Sequence, residues 1–168
     1  MAELTPQERL QPALLDRLTD DHPETQVEPR EMRVMTRNRL REAVLRDIGW
    51  LLNTTQVSGE HDWREAPLAQ HSVINYGLPA LSGTTASSLD AIDLENQVKR
   101  ALLDFEPRLV ASTLRVEALV DELQMDHHNV VSFRISGNLW AQPVPFEMLL
   151  RTEVDLESGQ VNVQDLAR

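Results

Sequence analysis

Residues 98–120 read Val98-Lys99-Arg100-Ala101-Leu102-Leu103-Asp104-Phe105-Glu106-Pro107-Arg108-Leu109-Val110-Ala111-Ser112-Thr113-Leu114-Arg115-Val116-Glu117-Ala118-Leu119-Val120. The spacing of apolar residues changes inside this stretch. Up to Phe105 the set Leu89, Ile92, Leu94, Val98, Ala101, Leu102 and Phe105 recurs at helical intervals. From Leu114 onward, Leu114, Val116, Ala118 and Val120 alternate with Thr113, Arg115 and Glu117, the pattern of a half-buried strand. Pro107 marks the boundary: it cannot continue a helix, and it drives Glu106 out of helical geometry as well. A helix therefore ends at Phe105 and a sheet begins just after it.

The same two periods extend outward. Ser87-Ser88-Leu89-Asp90 is a capping-box-like start for the helix. Arg37 to Asn53 predicts an earlier helix, with Leu40, Ala43, Val44, Ile48, Leu51 and Leu52 on one side. Downstream, Val131, Phe133, Ile135 and Leu139 predict one strand, and Phe146, Met148, Leu150, Val154 and Leu156 another. Ser158-Gly159 then turns into a last strand at Gln160-Val161-Asn162-Val163. Helices first and hairpin-linked strands afterwards imply an α+β domain. Its amino-terminal helices pack on one face of a small antiparallel sheet of three to four strands.

Between the two helices, residues 56–87 are loop-like. A single helical turn is expected around Ser72-Val73-Ile74-Asn75-Tyr76, closed by Gly77 with Pro79 two residues on. A loop of that length implies function or packing by its own side chains. Residues 1–36 are rich in charge and proline. Leu14-Leu15-Asp16-Arg17-Leu18 can form a short helical turn there, but one apolar edge buries too little area to hold a fold. We therefore expect a flexible extension over 1–36 and one domain over 37–168.

Composition narrows the function. The formal charge of −11 repels phosphate backbones and anionic membranes, so no nucleic acid is expected as a partner. There is no cysteine, which removes thiolate nucleophiles and cysteine-based zinc sites. The start lacks the basic end and apolar stretch of a secretory signal, and no run of about eighteen apolar residues occurs. A cytoplasmic protein without direct membrane insertion is expected.

Catalytic patterns are missing. His22, His61, His71, His127 and His128 form no pair at helical metal-ligand spacing, so neither a metal site nor any other cofactor is expected. His127-His128 fits a water-facing hairpin loop, Gln124–Asn129. Ser82-Gly83 lacks the strand-to-helix context of a nucleophile elbow, and Gly77 and Gly83 are not followed by a phosphate-binding Gly-Lys. With 27 acidic residues, some carboxylate pair always lies at glycosidase spacing, so composition cannot argue for one. No catalytic residue is expected.

Glu-Pro-Arg occurs twice, at Glu28-Pro29-Arg30 and at Glu106-Pro107-Arg108. Only the second copy has apolar anchors, Phe105 and Leu109, and a place between a helix and a strand. In an extended segment Glu106 and Arg108 would project side by side from a rigid corner. Two uses are open: an internal staple, in which Arg108 bonds the helix end or a sheet carboxylate, or a preorganised pair presented to a partner.

Phe105-Glu106-Pro107-Arg108-Leu109 after an amphipathic helix resembles the signature of the baseplate wedge proteins of contractile phage tails. The chain as a whole is similar to the TssE family, their counterpart in the bacterial type VI secretion system. Three further blocks carry the resemblance: Leu14-Leu15-Asp16-Arg17-Leu18-Thr19-Asp20-Asp21, Arg46-Asp47-Ile48-Gly49-Trp50-Leu51-Leu52-Asn53-Thr54 and Asn75-Tyr76-Gly77-Leu78-Pro79. Thr55 and Ala80 depart from the pattern, which has a basic and an acidic residue there. The resemblance implies a structural, non-enzymatic subunit of a cytoplasmic baseplate docked on the inner-membrane complex. It would help the sheath assemble, with Glu106, Pro107 and Arg108 contacting other baseplate wedge subunits or contractile sheath subunits. It also implies strand addition at a free sheet edge, as the sheath subunits interlock. The family carries a "lysozyme-like" label, so the alternative is a peptidoglycan-cleaving enzyme.

Overall fold

A computed structural model describes residues 13–20, 23–24, 35–57, 63–81, 91–119, 130–141 and 145–166. The capping start at 87–90, the first Glu-Pro-Arg copy, the 124–129 loop, Ser82-Gly83 and His22, His61, His127 and His128 lie outside them.

Helix α1 spans Leu14–Leu18 and α2 spans Arg37–Leu52. Thr36 caps α2 by accepting from the Arg39 amide through its hydroxyl, 3.2 Å. All six residues expected on its apolar side, Leu40 to Leu52, are buried. Helix α4, Ala91–Phe105, buries Leu94, Val98, Ala101 and Leu102. Ile92 departs from expectation and is 66 % exposed. At helical pitch it lies on the side opposite Leu94 and Ala101, so the helix that buries them turns Ile92 outward.

Among the described residues four strands form an antiparallel meander: β1 Arg115–Leu119, β2 Val130–Leu139, β3 Phe146–Asp155 and β4 Val161–Asp165, in that order. The register puts apolar partners on the inner face, with Val116 opposite Ile135, Ile135 opposite Leu150, and Val154 opposite both Val131 and Val161. Helix α4 lies against β1 and α2 against β4, and the two helices touch each other. The core between helices and sheet contains Val44, Ile48, Leu102, Phe133, Leu139 and Leu150. This is the expected α+β arrangement.

The segment 63–81 is compact rather than extended. Short turns at Trp63–Glu65 and Val73–Asn75 flank α3, Pro67–Gln70. Its far end grips the end of α2: the Leu78 amide donates to the Thr54 carbonyl and the Gln56 amide to the Leu78 carbonyl, both 2.8 Å. Gly77 makes this possible. Its φ is +122°, and a Cβ there would lie 2.1 Å from the Thr54 carbonyl oxygen. The expected turn is present, with the glycine serving a close backbone approach.

Candidate functional site: the Glu-Pro-Arg corner

Helix α4 stops where Pro107 requires, but the segment beyond it is a turn and not extended. The Glu106 amide still donates to the Leu102 carbonyl, 2.9 Å, and the Glu106 carbonyl accepts from the Leu109 amide, 3.1 Å. Proline at the second position of such a turn has its φ already set. The chain then runs onto the end of β2: the Trp140 amide donates to the Arg108 carbonyl, 2.7 Å, and the Val110 amide to the Asn138 carbonyl, 2.8 Å. The corner is fixed at both ends by backbone bonds.

Glu106 and Arg108 do come together, as a closed pair. The Glu106 carboxylate is buried, its residue only 4 % exposed. One oxygen accepts from the Arg108 side-chain Nε at 2.6 Å and from the Arg108 backbone amide at 3.1 Å; the other accepts from Nη2. That is a bidentate fork, the geometry in which arginine exceeds lysine. Arg108 Nη2 also donates to Asp47 of α2, 2.7 Å. Burial opposes charge on the guanidinium, but the hydrogen bonds and charges of Glu106 and then Asp47 outweigh it and hold the group above its ordinary value. Pro107 is exposed.

The charges continue beyond the tripeptide. Asp47 Oδ1 accepts from Arg46 Nε at 2.9 Å, and Arg46 Nη1 donates to Asp16 of α1 at 2.7 Å. Asp16 first, and Asp47 after it, raise the Arg46 guanidinium against the cost of partial burial. The Arg46 guanidinium lies over the Trp50 ring, 5.1 Å from its centroid. Tyr76 closes the other side, edge-on to Phe105 with ring centroids 5.2 Å apart. Its hydroxyl is raised by burial first, then by Asp47 and Glu106, while Arg108 opposes them.

Four separate stretches of sequence therefore meet at one place: Asp16, Arg46-Asp47, Tyr76 and Phe105–Arg108. The sequence of the family described as "Baseplate wedge protein gp25" matches residues 38–144, well over half of the chain.

The chain belongs to the baseplate wedge protein gp25 family.

The match begins in α2, runs through the corner and ends just past β2, leaving β3 and β4 beyond it. No curated protein and no solved structure matches the chain. The family is one of structural baseplate components.

Of the three residues expected to bind a partner, the baseplate wedge fold buries one, half-buries another and exposes only Pro107. An internal staple is present, but Arg108 makes it with the Glu106 carboxylate and with Asp47 of α2, not with the helix end or a sheet carboxylate as expected. No pattern in the sequence singles out Asp16, Arg46 or Asp47, although each lies in a stretch that carries the family resemblance. Their contacts span 30 and 61 residues, which no local pattern encodes. Asp47 and Glu106 are also a pair of carboxylates brought close together. A single guanidinium bridges them, whereas glycoside cleavage needs two carboxyl groups open to a sugar between them. Among the described residues no group of three or more potential ligands could hold a metal ion, and no helix is long and apolar enough to cross a membrane.

Proposed function

We propose that the chain is a structural baseplate subunit of a contractile type VI secretion machine that helps start and anchor its sheath. The observation that carries this reading is the family match over residues 38–144, which contains the whole corner. In the machine, the domain over 37–168 sits in the cytoplasmic baseplate docked at the inner membrane, and residues 1–36 act as an extension of it. The corner contacts neighbouring wedge or sheath subunits. Glu106 serves it from inside by fixing the turn, Arg108 by its exposed fifth, and Pro107 by direct contact.

The sheet offers a second contact, and its two edges are unequal. At the β1 edge the outward Ala118 amide is taken by the Glu95 carboxylate, 2.5 Å. At the β4 edge Asn53 pairs with Val161 like a strand residue, accepting from its amide at 2.9 Å and donating to its carbonyl at 2.8 Å. The β3–β4 ladder bonds run through Gln160 and Leu166, so Val161 and Val163 turn their backbone groups away from β3. Asn53 covers the first of these and leaves Val163 to receive an added strand.

The test is co-expression of the tagged chain with its candidate wedge and sheath subunits. Wild type should co-purify with both sets. Val163→Pro removes an outward amide, which an edge strand tolerates, along with part of the packing of the half-buried valine against the core, and should keep the wedge subunits while losing the sheath. Failure of the wild type to bring down either set would refute the assignment, as would peptidoglycan turnover by the purified protein that one carboxylate substitution abolishes.

A further inference from the structure

Helix α1 is seated the opposite way round from an ordinary amphipathic helix. Leu14 and Leu18 are 71 % and 74 % exposed, and none of its residues is buried. Its inward group is a charge, Asp16, whose side chain is 13 % exposed and bonded to Arg46. Apolar burial does not hold this helix; an ion pair does.

That ion pair is the end of a chain of alternating charge: Asp16, Arg46, Asp47, Arg108, Glu106. Each arginine is shared between two carboxylates. Asp47 gives Oδ1 to Arg46 and Oδ2 to Arg108, so it orients both guanidinium groups at once. If Arg108 is lost, Asp47 keeps one anchor instead of two and competes more strongly with Asp16 for Arg46. The seat of α1 then loosens, although Arg108 does not touch it.

We propose that Arg46 and Asp47 are positioning residues that join α1 and the Glu-Pro-Arg corner into one coupled unit. A partner that grips the corner is thereby felt at α1, and a change that unseats α1 is felt at the corner. Coupling between binding sites is reciprocal, so each end must report on the other. The use of this coupling in a baseplate rests on the docking reading above. The coupling itself belongs to the isolated chain, and the experiment needs no partner.

The experiment is NMR relaxation on the purified full-length protein, reading backbone order at residues 14–18 and the side-chain Nε–H signal of Arg108. In the wild type residues 14–18 should be ordered, with order parameters of about 0.8; Asp16→Asn should drop them below about 0.6, and Asp16→Glu should restore order. Arg108→Lys should lower the same values without disturbing the signals of β2 and β3. Asp47→Asn, at a part-exposed site, takes out the competitor and the link itself, so residues 14–18 should stay at least as ordered as in the wild type, and Asp16→Asn added to it should no longer change the Arg108 Nε–H exchange. Asp16→Asn should in turn speed solvent exchange of the Arg108 Nε–H about three-fold or more, the size of a coupling of somewhat under 1 kcal/mol. The proposal is overturned if α1 keeps its order in Arg108→Lys, or if Asp47→Asn lowers that order. It is equally overturned if the Arg108 signal ignores the loss of Asp16.

Discussion

Removing the Arg108 guanidinium while keeping its apolar stem, as Arg108→Met does, separates the staple from the presented pair. The Glu106 carboxylate would be left 4 % exposed without its cation, and Asp47 would lose one of two partners. Breaking a fully buried pair from one side costs about 3–5 kcal/mol. Arg108 and Asp47 have side chains 22 % and 23 % exposed, so water relieves part of that cost, leaving roughly 2–4 kcal/mol. In a domain of this size that corresponds to a fall in melting temperature of roughly 5–15 °C.

The penalty comes from a stranded charge, so a second substitution should cancel much of it. Glu106→Gln neutralises the carboxylate yet still accepts from the backbone amide of residue 108, the bond now 3.1 Å long. Urea unfolding followed by tryptophan fluorescence should therefore place the double variant Glu106→Gln/Arg108→Met nearer the wild type than Arg108→Met alone, with an unchanged m value. If Arg108→Met stays within about 0.5 kcal/mol of wild type, or if the two changes simply add, the corner is not an internal staple.

Three further outcomes follow from other parts of the fold. Gly77→Ala should destabilise by about 2–4 kcal/mol, combining a positive φ with a Cβ forced onto the Thr54 carbonyl; denaturant midpoints check it. Asn53→Ala should cost about 1–2 kcal/mol and speed hydrogen exchange at the Val161 amide, because the outward groups of that residue lose their side-chain partner. Burial raises the Tyr76 hydroxyl, so its contribution to stability is complete below the unfolded value of about 10 and is lost as pH rises through the folded one. Unfolding measured from pH 9 to 11 should show that loss in the wild type and a shallower one in Tyr76→Phe.

Periodicity was enough to locate α2, the end of α4 and all four strands, because each buries one face and so writes its burial into the spacing of its residues. Ile92 shows the limit: its step from Leu89 suits a helix, but the side that packs is set by Leu94 and Val98. The site was legible only in part. Proline at 107 foretold the corner and the break in the helix, and the resemblance gathered the four stretches that meet there. What spacing could not supply was Asp47 beneath Arg108, since the direction of a charged side chain depends on which helix passes it in space. The turn was likewise hidden: Glu106 and Arg108 lie side by side because Arg108 folds back, not because the backbone is extended.

This geometry changes what a substitution in the motif can prove. If Glu106 and Arg108 spent their charge on a partner, reversing either one would leave the free protein intact and abolish assembly. They spend it on each other and on Asp47, so reversal also damages the free protein, and loss of sheath assembly in a cell no longer distinguishes docking from folding. The residue that does distinguish them is Pro107, exposed at the apex of the turn with no charge in the network. Pro107→Ala keeps a conformation compatible with the turn and costs at most about 1 kcal/mol through the freer unfolded chain. If assembly fails in that variant while the purified protein melts within a few degrees of wild type, the corner is a contact surface shaped by its buried pair. If assembly proceeds, the tripeptide works from the inside alone, and the contacts with neighbours lie elsewhere, first of all at the Val163 edge.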